Sequence, residues 1–186
     1  MQATTDETLI GQIASGDKLA MRALFARHQT RVFRFLCGIV RDQSAAEDLL
    51  NDVFIDIWRQ AGRFEGRSSV STWMLAIARF KALSSLRRHR EAAIDEETAA
   101  EIPDLADDPE VVAQKQDKGA ILRACLAGLS PEHREIVDLV YYQEKSVEEC
   151  AVIVDIPENT VKTRLFHARK RLAELAKGKG LDRGWP

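Results

Sequence analysis

Apolar positions recur at three- and four-residue steps along most of the chain, and the strict alternation expected of strands is absent. Leu9, Ile10 and Ile13 place a short helix over 4–14, opened by Thr or Asp and broken at Gly16-Asp17. A long helix is expected from about Leu19 to Val40, with Leu24, Phe25, Val32, Phe35, Leu36 and Ile39 in the core. Ser44 and Glu47 read as a capping box for a third helix reaching about Gln60, with Leu50, Val53, Phe54 and Ile57 buried. After a Gly- and Ser-rich loop over 61–71, centred on Phe64, a fourth helix runs from Thr72 to about Arg90. Trp73, Met74, Ile77, Leu83 and Leu86 form its apolar side, and Arg79, Lys81, Arg87, Arg88 and Arg90 are left to solvent.

The pattern then lapses. Residues 91–117 hold Pro103, Pro109 and many acids with almost no large apolar periodicity, which is the composition of a flexible linker. Helical periodicity returns over 116–129 with Ile121, Leu122, Cys125 and Leu126 inward. Ser130 and Pro131 supply an N-cap and first helical residue for a helix to about Tyr142, with Ile136, Val137, Leu139 and Val140 apolar. Two short helices close the chain. Ser146 and Glu149 make a capping box for the first, Asp155 and Ile156 form the turn, and Pro157 opens the second. The expectation is an all-α protein: two small helical domains, 1–92 and 117–179, joined by an acidic linker over 93–116, with a short tail at 180–186.

Charge changes this picture more than composition does. The net charge of −2 over 186 residues hides strong segregation. The stretch from Arg67 to Arg90 contains no acid, that from Glu91 to Asp108 no base, and that from Lys162 to Lys179 has Glu174 as its one acid. Local basic segments of this kind bear on nucleic-acid contact more than the total does. Asp48, Asp52 and Asp56 recur every four residues on one helix face, where like charges slightly destabilise the helix. The stripe reads either as a solvated face or as a docking edge for a basic partner.

In the last helix Val161, Leu165, Ala168 and Leu172 share one face, while Lys162, Arg164, His167, Arg169, Lys170 and Arg171 occupy the others. With the preceding short helix and tight turn, this is the pattern of a helix-turn-helix, whose second helix can enter the major groove. A basic helix in an ordinary bundle would show the same face alone; the two-helix pattern favours DNA. The Gly-rich loop with Phe64, leading into a basic helix, combines a stacking surface with a cationic track for single-stranded nucleic acid.

No Gly-rich phosphate loop, nucleophile elbow or His pair at ligand spacing is present, and the carboxylates form no acid–base pair. Enzymatic activity, a cofactor and a metal are therefore not expected. Cys37, Cys125 and Cys150 lack metal-ligand spacing and read as reduced, buried thiols. Neither a signal peptide nor a membrane-length apolar run is seen, so a soluble cytoplasmic protein is expected. The residues leave open a stand-alone helix-turn-helix regulator with an N-terminal sensing or dimerisation domain, or an interaction protein that never reads DNA.

The Gly16-Asp17 dipeptide, AAEDLLNDVFIDIW (45–58), the Thr72-Trp73 pair opening a helix that ends in LRR (86–88), LSPEHREIVDLVYYQEKSVEECA and PENTVKTRLFHARKRL occur here in one order. In them the chain resembles bacterial sigma-70-type sigma factors of the extracytoplasmic-function (ECF) class over nearly its whole length. The resemblance implies a sigma-2 domain, a variable linker and a sigma-4 domain, with core RNA polymerase and promoter DNA as partners and an anti-sigma factor as regulator. It implies that Asp48, Asp52, Val53, Phe54, Asp56 and Trp58 dock on polymerase. It implies that Phe64, Arg67, Ser68, Ser69, Arg79, Lys81, Arg87 and Arg88 serve recognition and melting of the −10 element. It assigns Glu158, Asn159, Thr160, Lys162, Thr163, Arg164, His167, Arg169, Lys170 and Arg171 to the −35 element. The chain departs from the family at Phe80, where Asn is common, and near Ser84, where Asp is common; both lie in the −10 helix, and Phe80 reads either as a core residue or as a DNA contact.

Overall fold

The computed structural model describes residues 4–95 and 118–178. Those residues are helical and contain no strand, and the chain divides into two compact units. The first holds α1 (Asp6–Ala14), α2 (Lys18–Val40), α3 (Gln43–Gln60) and α4 (Val70–Asp95). The second holds α5 (Lys118–Ala127), α6 (Pro131–Val137), residues 147–151 of α7 (Val147–Val154) and α8 (Glu158–Gly178).

In the first unit α2 packs against α1, α3 and α4, and burial of Leu24, Val32, Phe35, Leu36, Val53, Ile57, Met74 and Leu75 forms the core. The Gly16-Asp17 dipeptide acquires a physical role here. Gly16 takes φ +89, a left-handed conformation that closes α1, and Asp17 N–H donates back to Gln12 O at 3.0 Å. Asp17 then caps α2 by accepting from Leu19 N at 2.7 Å and Ala20 N at 3.2 Å. Asp6 accepts from His28 Nε2 at 2.7 Å and from Arg27, fastening α1 to α2.

Several expectations shift by a turn or less. α1 starts at Asp6 with Thr5 as its cap rather than at residue 4. The cap of α3 is Asp42, accepting from Ala45 N at 2.6 Å; Ser44 lies inside the helix, so the Ser44/Glu47 box does not form. Leu49, not Leu50, belongs to the fully buried stripe of α3. α4 begins at Val70 because Ser69 caps it, which buries Thr72 completely, and it runs on to Asp95.

The larger correction lies further along α4. Over 70–92 its buried positions end at Ala82, and Phe80, Leu83 and Leu86 are exposed, although Leu83 and Leu86 were expected to face inward. Helical spacing is satisfied equally by a core and by an external partner, and over 83–92 this helix has no buried residue. Apart from 93–95, the expected linker lies outside the described residues, as does the tail at 180–186.

In the second unit α8 packs on α5 and α6, with Cys125, Leu129, Val137, Ala168, Leu172 and Ala176 in one buried cluster. Ser130 caps α6 with Pro131 in the first turn, as expected. α6 passes directly into a π-helical segment, Asp138–Tyr142. Arg134 ties the α5–α6 corner together: its guanidinium donates to Leu126 O (3.0 Å) and Ala127 O (2.9 Å) at the end of α5 and to Leu129 O (3.0 Å) in the turn that follows. Arg134→Ala is expected to destabilise this unit by about 2 kcal/mol, the scale for removing charged hydrogen bonds at a partly buried site. Arg134→Lys should not restore it, since a point ammonium cannot span three carbonyls. Urea unfolding of the variants measures this; unchanged midpoints would remove Arg134 from the stabilising set.

Asp138 opens the π-helical segment and is largely buried, accepting from Gln143 Nε2 at 3.2 Å. Burial pushes its pKa up to about 6, Glu135 adds to the rise, and the Gln143 hydrogen bond opposes it. The folded-state pKa lies above the unfolded value, so protonation favours the fold. The contribution is fully present below about 3.8 and is lost as pH rises through about 6. Asp138→Asn should therefore raise stability at pH 7.5 by about 2–3 kcal/mol and give no gain at pH 3.5. Equal gains at the two pH values would contradict this.

Candidate functional site

Three surfaces carry the residues singled out in the sequence. On α3, Asp48 and Asp52 are exposed, as is Trp58 at 36%. Asp56 is different: it accepts a salt bridge from Lys81 Nζ of α4 at 2.8 Å, and both side chains are largely covered. Two expected contact residues, one for a protein and one for DNA, thus hold α3 to α4. Val53 and Phe54, also expected to dock, are buried, with Phe54 edge-on to Phe25 at 4.7 Å between ring centroids. Ile55 is exposed beside Asp52 and Trp58. Its position out of phase with the Val53–Ile57 core stripe was a readable signal. The exposed face of α3 is thus acidic and apolar together.

The loop before α4 is built to present its own side chains. A 3₁₀ turn, Ala61–Arg63, ends with Phe64 N–H donating to Ala61 O at 3.1 Å. The Phe64 ring leans on Trp73 at 5.2 Å between centroids, an aromatic pair worth about 1 kcal/mol beyond its area. Gly66 takes φ +70, which reverses the chain there. Arg67 is exposed and pairs with Glu65 at 2.6 Å, while Ser68 is half-buried. Ser69 Oγ accepts from Thr72 N at 3.3 Å and bonds Thr72 Oγ1 at 2.8 Å, so this hydroxyl serves the cap of α4 rather than standing open to a ligand. Arg79 is half-buried, and Arg87, Arg88 and Arg90 are exposed on the outer part of α4.

The C-terminal pair forms as a helix-turn-helix. Ser146 and Glu149 make the expected capping box: Glu149 N donates to Ser146 Oγ at 3.2 Å and Ser146 N to Glu149 Oε2 at 3.1 Å. Asp155 takes φ 56 and Ile156 N donates to Ala151 O at 3.2 Å, which closes α7 in a left-handed turn. Pro157 stands just outside α8, in the cap position, one residue earlier than expected. Val161, Leu165, Ala168 and Leu172 are buried as expected, and this fixes the outward face. Asn159, Thr163, Phe166 and Lys170 lie opposite the core, flanked by Lys162 and His167, all exposed. Phe166, exposed at 64%, was not singled out in the sequence, although it breaks the same periodicity.

The remaining candidates on α8 are already engaged. Arg169 Nε donates to Tyr141 Oη at 2.8 Å, and its guanidinium lies 5.7 Å from the centre of that ring. Arg171 pairs with Glu174 at 3.2 Å, and Glu158 with Lys162 at 3.7 Å. Thr160 and Arg164 are half-buried. Exposed pairs such as these are weak and exchange readily for phosphate contacts.

Among the described residues, no group of three or more His, Cys, Asp or Glu is placed to hold a metal, and no helix is long and apolar enough to cross a membrane. The three cysteines are free thiols. Burial raises the Cys150 pKa to about 11, with Glu149 contributing, which makes that thiol a poor nucleophile. Cys37 is half-buried rather than buried.

Comparison with known proteins matches residues 24–92 to the family described as Sigma-70 region 2 and residues 119–172 to Sigma-70, region 4. RNA polymerase sigma factor CarQ of Myxococcus xanthus is 34% identical over 163 residues, covering 86% of this chain and 91% of that protein. ECF RNA polymerase sigma factor SigM of Mycobacterium tuberculosis is 32% identical over 171 residues, covering 92% and 84%. Among solved structures, the sigma factor RpoE of Bartonella quintana, in complex with the anti-sigma factor NepR, aligns with TM-score 0.71 and 25% identity over 87% of this chain and 98% of that one. CnrH, solved with the cytosolic domain of CnrY, shares the fold with TM-score 0.68 and 23% identity over 93% and 97%.

Proposed function

Because this chain belongs to the sigma-70 family, in its extracytoplasmic-function class, we propose a division of labour among its three surfaces. Members of the family are transcription initiation factors, and this one directs core RNA polymerase to promoters. In this reading a sigma-2 domain spans 1–92 and a sigma-4 domain 117–179. Asp48, Asp52, Ile55 and Trp58 of α3 meet core polymerase, the carboxylates facing cations and the two apolar side chains filling pockets. Phe64, Arg67 and Ser68 receive an unstacked base of the −10 element, which offsets part of the unpairing cost of a few kcal/mol. Arg87 and Arg88 track the phosphates beside it. Asn159, Lys162 and Thr163 of α8 reach −35 base edges, and His167 and Lys170 hold the backbone on either side.

The single observation carrying this reading is the outward face of α8. Its polar and basic residues are free of the core at the N-terminal turns of the second helix of a helix-turn-helix, where base edges are read. The chain performs no covalent step in this scheme; polymerase supplies the chemistry, and the protein acts in the cytoplasm. An anti-sigma factor is the proposed regulator, supported by the NepR complex of the Bartonella relative. It would act by covering the α3 and DNA-binding surfaces. Run-off transcription with bacterial core polymerase, on the fragment upstream of the protein's own gene, tests the scheme. A defined transcript that requires the protein is expected. Failure to bind core polymerase would overturn the scheme.

A further inference from the structure

Resting on the reading that α4 faces the −10 element, we propose that Phe80 is a specificity-determining residue that reads the C5-methyl group of a −10 thymine. Its ring is 71% exposed, so it adds little to the fold, and the buried side of α4 is formed instead by Met74, Leu75, Ala78 and Ala82. A large apolar ring held in water on a helix is a ready contact for a ligand.

Its neighbours identify that ligand. Trp73, Phe80 and Arg87 recur every seven residues, so they lie along one side of α4 with about 10 Å between successive positions. Phe64 rests on Trp73 at one end of this strip. Leu83, exposed at 41%, widens the apolar middle beside Phe80, and Arg87 and Arg88 stand exposed at the far end. No carboxylate occurs between Gly66 and Arg90. An apolar strip continuous with cations, on a helix stretch with no acid of its own and with Asp56 of α3 neutralised by Lys81, suits a polyanion that offers apolar groups, and nucleic acid is such a molecule.

The chemistry of the ring narrows the choice. A phenyl group neither donates nor accepts a hydrogen bond, so it cannot read the polar edges of guanine, cytosine or adenine. The thymine methyl is the apolar group that a base edge presents. Stacking on a base face is the competing use of such a ring. It would be tolerant of base identity, so experiment can separate the two.

The test uses full-length protein with core RNA polymerase on a template pool randomised across the promoter, sequencing the transcribed templates. The wild-type protein should enrich thymine at one −10 position. Phe80→Asn should lose that enrichment while keeping the −35 preference. On the selected promoter, deoxyuridine at that position removes only the methyl. It should lower wild-type initiation about fourfold, the effect of one buried methyl, and leave Phe80→Ala unchanged. That coupling between side chain and methyl is not produced by a general loss of fold, and circular dichroism should show both variants as helical as the wild type. Undiminished thymine enrichment by Phe80→Asn overturns the proposal. So does a wild-type response to deoxyuridine that Phe80→Ala shares, or a loss in Phe80→Ala that is the same for every base. If the wild-type protein enriches no promoter sequence at all, the sigma-factor scheme itself fails, a different result from any of these.

Discussion

Alanine at both Asn159 and Lys162 is expected to lower initiation at a −35-dependent promoter by about a hundredfold. Each side chain stands on the outward face of α8 near its N-terminus. A good base-edge contact by Asn or Lys discriminates by about 1–3 kcal/mol. Losing two gives about thirtyfold when each lies at the low end of that range and about a hundredfold when each is worth about 1.4 kcal/mol. The substitution should not unfold α8, since both positions are exposed and alanine has the highest helix propensity. Lys170→Ala is the matched control. Removing a phosphate-binding ammonium there should weaken DNA binding evenly across sequences and reduce the salt slope by about one. Run-off yields for the three proteins over a salt series measure this. A double variant within a fewfold of wild type would remove α8 from the role of −35 reader.

Phe54→Ala and Ile55→Ala are adjacent changes with opposite expected consequences. Phe54 is 4% exposed and packs edge-on against Phe25, so its removal opens a cavity costing about 3–5 kcal/mol, a large share of a small domain's stability. Ile55 is 46% exposed, and its truncation should leave the midpoint of thermal unfolding unchanged. In the proposed docking face, however, Ile55 fills a polymerase pocket beside Asp52 and Trp58, where a central contact is worth about 1–2 kcal/mol. Ile55→Ala should therefore weaken core-polymerase affinity about tenfold with no loss of stability. Phe54→Ala should unfold at much lower temperature. If Ile55→Ala lost stability and kept full affinity, the assignment of inner and outer faces on α3 would be reversed.

The contrast between these neighbours shows what periodicity can carry. A step of three or four residues located every described helix to within a few positions and found the outward face of α8, because its five buried residues lie in one uninterrupted phase. Periodicity failed where one stripe had to be assigned an owner. Leu83 and Leu86 continue the apolar spacing of α4 beyond the last buried position, and spacing alone does not say whether a core or a ligand lies opposite. Other misses are interactions between elements. The Lys81–Asp56 bridge joins residues 25 positions apart on two helices, and the three carbonyls held by Arg134 belong to the preceding helix and the turn after it. Ser69 was visible as a hydroxyl in a Ser-rich loop. Its use as the cap of α4 depended on where that helix begins, and helix ends are the least certain boundaries of a sequence reading.

Footprinting of promoter DNA by the protein alone and with core polymerase, followed by permanganate to mark unpaired thymines, tests the central claim most directly. With core polymerase, protection over separate −35 and −10 segments and reactive thymines within the −10 segment are expected; without it, neither. Strong protection of a palindromic site by the protein alone, with no reactive thymine and no change on adding polymerase, would contradict the claim and identify a stand-alone helix-turn-helix regulator.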